Sequence, residues 1–323
     1  MFRIACASTF AALSMLVAAP AVAADRYPER PIRLIVPFAP GGGTDITARL
    51  LAEPMGQTLG ETMVVDNRPG AGSIIGCDIA AKSTPDGHTL LLASTSLTVN
   101  SVIYRKIPYD VGRDLVGITR VTDQPSILVA HPAFPAKTFK EFADLVRSHP
   151  GKYTFGTPGY GTATHLATEQ MIQKVGAKMV QVPFKGTGPA LTALLSQEIN
   201  VYMSTFASAL PHVKANRLRA YGVSTNYRAK PLPDVPTLAE QGLQGYEYAT
   251  WYGLFAPAGT PQQIIDKLNK AAVAALKSPT VLAVLEKQGM NATPMTPQKF
   301  AQYVSAERRK WSDVVHVAGI EQR

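Results

Sequence analysis

Short segments rich in β-forming residues alternate with longer segments of helical periodicity along most of the chain. Residues 32–37 form one β-type segment, and the apolar positions in residues 44–59 recur at the spacing of one helix face. Pro54 interrupts that helical segment, so we expect a kink or a break there. Because strands that alternate with helices pair as parallel sheets, the sequence predicts an α/β fold.

Residues 1–24 have the order of a secretory signal peptide. Arg3 is their only charged residue, an apolar run covers residues 4–19, and small residues follow at 21–24. We therefore expect cleavage and export to the periplasm. The remaining chain of about 300 residues is enough for one large domain or two medium ones. It contains no further apolar run of about 18 residues, so the sequence does not suggest a permease.

Composition argues against two further classes of protein. Cys6 lies in the predicted signal peptide, so Cys77 alone remains, which excludes an internal disulfide and a Cys-based metal cluster. The chain has 32 Lys+Arg against 23 Asp+Glu. These basic residues are scattered, with residues 308–310 as the one cluster, so we do not expect a nucleic-acid partner. The positive balance either draws small anions towards a cleft or serves solubility alone, two interpretations of equal weight.

The segment Pro40-Gly41-Gly42-Gly43-Thr44-Asp45 joins a predicted strand to a predicted helix. Glycines let the backbone turn tightly and let a ligand approach, and the free N–H groups at a helix start form a general anion site. The pattern is neither a dinucleotide-binding loop nor a P-loop, and a plain tight turn is the alternative. Asp45 either caps the helix or braces the loop. Because it would repel an anion, we expect its carboxylate to be turned away or hydrogen-bonded to the loop.

Three other donor-rich turns follow predicted strands. In residues 155–162, backbone amides and hydroxyls gather at a helix start, and His165 one turn later is either a catalytic base or a structural hydrogen-bonder. Ser94-Thr95-Ser96 is the second turn. The third, residues 184–188, contains Lys185, which either attracts a carboxylate or is a solvated lysine.

The chain lacks the local motifs of common hydrolases and metal enzymes. It has no Gly-x-Ser-x-Gly and no His-x-x-x-His, and its six His are dispersed. Donor-rich turns at the carboxyl ends of strands are instead typical of the ligand crevice of an open α/β sheet. The residues therefore favour a binding protein without a metal or cofactor over an enzyme.

A series of short motifs runs in order along the predicted mature chain. They are Tyr27-Pro28, Pro31-Ile32, Pro40-Gly41-Gly42-Gly43-Thr44-Asp45, Asn67-Arg68-Pro69-Gly70-Ala71-Gly72, Pro85-Asp86-Gly87, Pro108-Tyr109-Asp110, Gly159-Tyr160-Gly161 with His165, Lys185-Gly186-Thr187-Gly188-Pro189-Ala190, Pro233-Asp234-Val235-Pro236-Thr237 and Ala256-Pro257-Ala258-Gly259-Thr260-Pro261. Together they resemble the Bug family, the periplasmic solute-binding receptors of tripartite tricarboxylate transporters.

The resemblance implies a two-domain Venus-flytrap fold with a ligand cleft between the domains. The chain would cross between them near residues 124 and 248, so that domain 1 comprises residues 25–124 and 249–323 and domain 2 comprises residues 125–248. Members of the family bind small carboxylates through backbone amides and ordered waters of two facing loops, here residues 38–45 and 156–162. The binding residues that we predict are Phe38, Gly42, Gly43, Asp45, Thr95, Ser96, Gly156, Thr157, Tyr160, Gly161, Thr162 and Lys185, with Phe38 and Tyr160 as apolar walls.

Two departures from the family pattern bear on the ligand. Thr157-Pro158 stands where the family often has Ser or Asn with a small residue, and the bulkier Tyr160 reshapes that wall. Ser204-Thr205-Phe206 stands where the family frequently has an acid near a Phe. The missing acid disfavours an amino-acid ligand, so we expect a simple mono- or dicarboxylate, aromatic acids included.

We expect a monomeric periplasmic receptor that hands its carboxylate to the membrane permease subunits of a tripartite transporter. Two alternatives stay open. One is an exported sensor whose closed form docks on a signalling protein. The other is an exported hydrolase that uses His165.

Overall fold

Ten strands, ten α-helices and one 3₁₀ helix (Ala71–Ser73) form in residues 26–317, the part of the chain that the computed structural model describes. The predicted signal peptide, residues 1–24, lies outside these residues. The strands are β1 (Ile32–Val36), β2 (Met63–Asn67), β3 (Thr89–Ser94), β4 (Leu115–Ala130), β5 (Thr154–Thr157), β6 (Val180–Pro183), β7 (Val201–Thr205), β8 (Arg219–Val223), β9 (Ala249–Pro257) and β10 (Asn291–Ala292). The helices are α1 (Gly43–Leu59), α2 (Ile74–Ala81), α3 (Ser96–Ile103), α4 (Phe139–Ser148), α5 (Ala163–Val175), α6 (Thr187–Leu195), α7 (Phe206–Lys214), α8 (Gln262–Lys277), α9 (Pro279–Lys287) and α10 (Pro297–Val317).

The strands are hydrogen-bonded in the order β2-β1-β3-β9-β4-β7-β5-β6, with β8 and β10 also paired to β4. The predicted α/β fold is confirmed, and β1 pairs in parallel with β2 and β3, as β5 does with β6 and β7. The expectation of wholly parallel sheets is wrong for β4 and β9, which pair antiparallel. These two strands lie side by side and run in opposite directions between the two halves of the molecule, so they form no parallel crossover unit.

Strand β4 changes partners part of the way along its length. Up to Pro125 it pairs with β9, and from Ser126 it pairs with β7 and β8. Each half of the sheet has its own apolar core, with Leu34 and Leu254 in the first and Phe142 and Phe155 in the second. The molecule therefore has two halves that share the continuous strand β4.

Helix α1 runs unbroken through Pro54, so the predicted break there is wrong. Its buried stripe, which includes Leu51 and Met55, belongs to the first core. Burying one such side chain stabilises the fold by about 1.5–3 kcal/mol. Several together therefore offset a proline penalty of about 3 kcal/mol inside a helix. The helix ends at Gly60, which has a left-handed backbone (φ 85°) and donates its N–H to the Gly56 carbonyl.

A smaller apolar cluster joins the two halves. It brings together Val99 of α3, Leu166 of α5, Tyr248 just before β9, and Trp311 of α10. Glu307 of α10 is buried beside it and accepts hydrogen bonds from the indole N–H groups of Trp251 (3.0 Å) and Trp311 (3.3 Å). The last helix thus packs against both halves and is tied to β9.

Cys77 is a free cysteine that is buried in the first half. Burial raises the pKa of its thiol to about 12, so the thiolate does not form at neutral pH. Among residues 26–317, no single helix is long and apolar enough to cross a membrane. Only α8 and α9 taken together meet that criterion, across a bend of 65°.

Candidate ligand-binding site

A small cavity of about 20 Å³ lies between the two halves of the molecule. Its walls come from the glycine-rich loop before α1, from the starts of other helices, and from β9 with the residue preceding it. The lining residues are Phe38, Gly42, Gly43, Thr44, Ser94, Ser96, Pro158, Thr164, Thr187, Thr205, Tyr248, Thr250 and Tyr252. None of these carries a charged side chain, and most bear a hydroxyl group.

Five helices begin at this cavity, namely α1, α3, α5, α6 and α7. Each helix start carries unsatisfied N–H groups and the positive end of a helix dipole, equivalent to roughly half an elementary charge. In four of the five, the N-cap residue makes no side-chain cap; these are Gly42, Thr95, Gly186 and Thr205. Only Thr162 of α5 caps its own helix, by accepting from the His165 N–H. The cavity therefore offers a positive potential without a cationic side chain, which suits an anion.

Two larger grooves, each of about 780 Å³, lie on the outer surface. One is bounded by residues 49–65 and the other by residues 269–306. Neither is lined by the start of any of these five helices. We place the candidate site in the smaller cavity because the dipoles, amides and hydroxyls converge there.

Glycines at the start of α1 bring its backbone against neighbouring groups. A Cβ on Gly42 would approach Thr187 Cβ of α6 to 3.3 Å. A Cβ on Gly43 would overlap the Tyr252 hydroxyl and the Gln124 amide nitrogen, both closer than real Cβ atoms come. Position 43 therefore needs glycine because of close approach, as the sequence suggested for the loop, whereas a Cβ at position 42 would require Thr187 to give way by a few tenths of an ångström.

Asp45 braces the glycine-rich loop. Its carboxylate accepts hydrogen bonds from the Gly41 N–H (3.0 Å), from Arg49 and from Asn67 (3.1 Å). Burial alone would raise the pKa of Asp45, but these hydrogen bonds, with Arg49 first, hold it below its usual value. The side chain is outside the cavity lining, as expected for a carboxylate that must not repel an anion.

The second predicted loop is held by its own hydrogen bonds. His165 Nδ1 accepts from the Gly161 N–H (3.2 Å), and the His165 ring lies 4.9 Å from the Tyr160 ring. Thr162 Oγ1 donates to the Gly159 carbonyl (2.9 Å). Gly161 adopts a left-handed backbone (φ 72°), beside the Tyr104 ring. This loop thus positions the start of α5, and the His165 ring makes a hydrogen bond of the kind expected for a structural residue.

Direct contacts close the cleft between the two halves. The Ala39 N–H donates to the Lys185 carbonyl (3.0 Å), and Ser208 Oγ donates to the Gly41 carbonyl (3.0 Å). Across the other side, the Ala163 N–H donates to Ser96 Oγ (3.2 Å). A cavity of about 20 Å³ has room for roughly one water molecule. An organic acid can therefore enter only if these contacts open.

The structure brings four of the predicted binding residues into the cavity lining: Phe38, Gly42, Gly43 and Ser96. The others support the lining from behind or lie beside it; they are Asp45, Thr95, Gly156, Thr157, Tyr160, Gly161, Thr162 and Lys185. Thr95 Oγ1, for example, accepts from the Trp251 N–H (3.0 Å), and Thr157 Oγ1 accepts from the Gln181 amide (2.9 Å). The Lys185 side chain is exposed, so any effect on an anion would act at long range.

Sequence reasoning missed the contribution of β9 and the residue before it. Tyr248, Thr250 and Tyr252 all face the cavity. The signal was present, because residues two apart on a strand share one face and these three all bear hydroxyls. Burial raises the pKa of Tyr248 to about 12 and also raises that of Tyr252, so both hydroxyls keep their protons at neutral pH.

Across residues 26–317, no group of three or more His, Cys, Asp or Glu side chains is placed to hold a metal ion. The cavity itself is lined by neutral groups, most of which bear hydroxyls that can donate or accept hydrogen bonds.

Comparison with known proteins identifies similar sequences and folds. The model of the TctC family, described as tripartite tricarboxylate transporter family receptor, matches residues 47–320. The structure of the periplasmic binding protein BugD is 33% identical, with a TM-score of 0.90 over 92% of this chain and 100% of that one. MatC from Rhodopseudomonas palustris with bound malate is 34% identical, with a TM-score of 0.85 over 90% and 100% of the two chains.

A further structure, R. palustris Rpa4515 with adipate, is 31% identical, with a TM-score of 0.88 over 91% of this chain and 99% of that one. These likenesses cover nearly the whole of each chain. They identify the fold as the two-domain fold of periplasmic binding proteins.

Proposed function

Because the chain belongs to the family of tripartite tricarboxylate transporter receptors, we propose that it captures a small organic carboxylate in its interdomain cavity and delivers it to the membrane subunits of such a transporter. Proteins of this family are periplasmic solute-binding proteins, and similar structures hold malate and adipate. The proposal includes export to the periplasm, action as a monomer, and no catalytic activity.

The observation that carries this proposal is the convergence of five helix starts on a cavity with no charged lining residue. A carboxylate accepts hydrogen bonds from N–H and O–H groups, and dipole ends pointing at it act strongly in a site from which water is excluded. Of the residues named from the sequence, we propose that Phe38, Gly42, Gly43 and Ser96 contact the ligand, together with Thr187, Tyr248, Thr250 and Tyr252. The other named residues support this lining from behind or beside it, and Lys185 acts at longer range.

The lining also limits the ligand class. A ligand ammonium group would meet several positive helix ends and no carboxylate among the lining residues, and burying an unpaired charge is costly. The rings of Phe38, Tyr248 and Tyr252 supply apolar surface beside the donors. We therefore propose simple mono- or dicarboxylates as ligands, aromatic acids included, rather than amino acids.

We propose that the domains comprise residues 25–124 with 249–323, and residues 125–248. Two features support these boundaries: β4 exchanges β9 for β7 and β8 after Pro125, and β9 begins at Ala249. Helices α1 and α3 then belong to one domain and α5, α6 and α7 to the other. Ligand that contacts both sets stabilises the closed arrangement, and this coupling is the basis of capture.

A thermal-shift screen of the mature protein tests the proposal. The protein is unfolded, dialysed and refolded to remove carried-over ligand, then mixed with malate, adipate or benzoate, each beside its neutral amide. A ligand at a hundred times its Kd adds about 2.7 kcal/mol to the free energy of unfolding. We expect stabilisation by an acid and not by its amide. Stabilisation by none of the acids would contradict the proposal.

Delivery is a separate part of the proposal and needs a separate measurement. Uptake of the radiolabelled acid is compared in cells with and without the gene for this chain. We expect uptake to fall when the gene is deleted and to recover on complementation. Unchanged uptake, with binding intact, would favour the sensor alternative over the transport role.

A further inference from the structure

Two hydroxyl groups of the cavity lining receive hydrogen bonds from buried side chains behind the wall. Gln124 Nε2 donates to the Tyr252 hydroxyl (2.7 Å), and the Tyr202 hydroxyl donates to Thr187 Oγ1 (3.0 Å). Tyr202 and Gln124 are fully buried and do not line the cavity themselves. Each backing residue therefore occupies an acceptor site of a hydroxyl that faces the ligand space.

The orientation of the Gln124 amide follows from an unambiguous donor. The Ala207 backbone N–H, in the first turn of α7, donates to Gln124 Oε1 (3.1 Å). An N–H group can only donate, so the oxygen of the amide must face Ala207 and the NH₂ group must face Tyr252. The Tyr252 hydroxyl oxygen then accepts, and its own proton is directed elsewhere. The cavity, which Tyr252 lines, is the open direction for that proton.

The same reasoning applies at Thr187. A hydroxyl has one proton and two lone pairs, so a Thr187 oxygen that accepts from Tyr202 keeps its proton for another partner. Burial raises the pKa of Tyr202, which keeps the Tyr202 proton in place across the physiological range. Thr187 is 5% exposed as a whole residue, and it lies against the cavity beside Gly42.

We propose that Gln124 and Tyr202 are positioning residues that turn the Tyr252 and Thr187 hydroxyls into donors aimed at the ligand, so that the cavity selects groups that only accept hydrogen bonds. This inference rests on the proposed function and deepens it. A carboxylate oxygen satisfies both hydroxyls. An amide NH₂ or an ammonium group at the same place meets two protons and finds no acceptor.

A double-mutant cycle tests whether Tyr202 acts through Thr187. The mature protein, refolded as above, is prepared as wild type, Tyr202→Phe, Thr187→Val and the double variant. Titration calorimetry measures binding of malate, adipate and benzoate and of their neutral amides. Tyr246→Phe is the matched control, since Tyr246 is also buried in the second half and donates its hydroxyl to the Ala167 carbonyl (3.0 Å), away from the cavity.

We expect Tyr202→Phe to weaken binding of the acid by roughly three- to tenfold and to lower the preference for acid over amide. Tyr246→Phe should bind within about twofold of wild type. In the Thr187→Val background, the Tyr202→Phe change should have an effect of less than about twofold, because the hydroxyl that it positions is gone. A purely structural role of Tyr202 would cost the same in both backgrounds.

Three results would overturn the inference. The first is an additive cycle, and the second is a Tyr202→Phe variant that binds like Tyr246→Phe. The third is a wild type that binds acid and amide equally well, which would leave the receptor function standing. A wild type that binds none of the acids would overturn the proposed function and this inference with it.

A second cycle keeps the inference testable if Tyr202→Phe does not fold, as judged by near-ultraviolet circular dichroism. It pairs Gln124→Met with Tyr252→Phe and uses Gln241→Met as the control. The Gln241 amide donates to the Tyr221 carbonyl (2.7 Å), outside the cavity lining. We expect Gln124→Met to weaken binding of the acid in the wild-type background and to have an effect of less than about twofold in the Tyr252→Phe background. An additive cycle, or a Gln124→Met variant that binds like Gln241→Met, would overturn the inference.

Discussion

Replacing Gly43 by alanine tests the packing behind the cavity wall with the smallest possible change. The added Cβ would overlap the Tyr252 hydroxyl and the Gln124 amide nitrogen and would lie 3.1 Å from Tyr252 Cζ. Tyr252 is 1% exposed and Gln124 is fully buried, so neither side chain can swing into solvent. The methyl group must therefore push the two side chains apart or shift the start of α1.

The magnitude follows from three terms. Overpacking of a close-packed site costs about 1–3 kcal/mol, and losing the hydrogen bond between Gln124 and Tyr252 costs about 1 kcal/mol. Alanine also has fewer conformations than glycine in the unfolded chain, which raises the free energy of unfolding by about 0.5 kcal/mol. We expect the free energy of unfolding to fall by about 2.5 kcal/mol, measured by urea denaturation with an unchanged m-value. Binding of the ligand acid should fall as well, because Gly43 lines the cavity.

Gly112→Ala is the matched control for this change. Gly112 is exposed, and the nearest atom to an added Cβ is Asp110 Oδ1 at 3.4 Å, an ordinary contact. We expect Gly112→Ala to change the free energy of unfolding by less than about 0.5 kcal/mol. If Gly43→Ala were as stable as this control and bound ligand like wild type, the close approach described here would be refuted.

Four further changes probe the site and its surroundings. Because the pKa of Asp45 is held below its usual value, the ionised carboxylate stabilises the fold above about pH 4, and this stabilisation is lost as the pH falls through the pKa of the folded protein. The Asp45→Asn variant should therefore lower the free energy of unfolding by about 1 kcal/mol at neutral pH and by progressively less in acid, as measured by thermal unfolding. Trp251, one of the two tryptophans of the sequence, lies between the lining residues Thr250 and Tyr252, so ligand should change the intrinsic fluorescence. The Trp311→Phe variant should keep the part of this change that comes from Trp251. His165→Ala should lower the free energy of unfolding by about 1 kcal/mol in urea, through loss of the hydrogen bond from the Gly161 N–H, and turnover of an ester panel should be undetectable with either protein. Lys185→Ala should slow association at low salt by stopped-flow fluorescence, whereas its dissociation rate should match wild type because the side chain is outside the lining.

Local signals were sufficient to predict the class of the fold, whereas its division into two domains was implied only by the resemblance to a family. The alternation of segments predicted the α/β class, and the capping box of Thr138 with Glu141 marks the start of α4, where Thr138 Oγ1 accepts from the Glu141 N–H (3.1 Å). Such signals are short in range. The antiparallel path of β4 beside β9 depends on contacts between residues more than a hundred positions apart, which no local pattern encodes.

The sequence predicted some residues of the cavity lining and not others. Glycines between a strand and a helix identified Gly42 and Gly43, and at Gly43 only a missing Cβ permits the close approach seen there. Lys185 was predicted as a binding residue because of its charge, yet the lining residue of that turn is Thr187. Gly186 (φ 141°) separates the exposed lysine from the start of α6. Which side of a loop faces the cleft depends on the whole backbone path and not on residue type.

A cavity of neutral donors suits a receptor that must also release its ligand. A lysine or arginine in the lining would stay with one domain on opening and would keep its attraction for the anion. In this chain, the starts of α1 and α3 lie in one half and those of α5, α6 and α7 in the other. In the capture mechanism that we propose, opening removes part of the positive potential from a bound anion and admits water, which screens the remainder. The same geometry that gives affinity in the closed form weakens it in the open form, so release needs no change of charge on the protein.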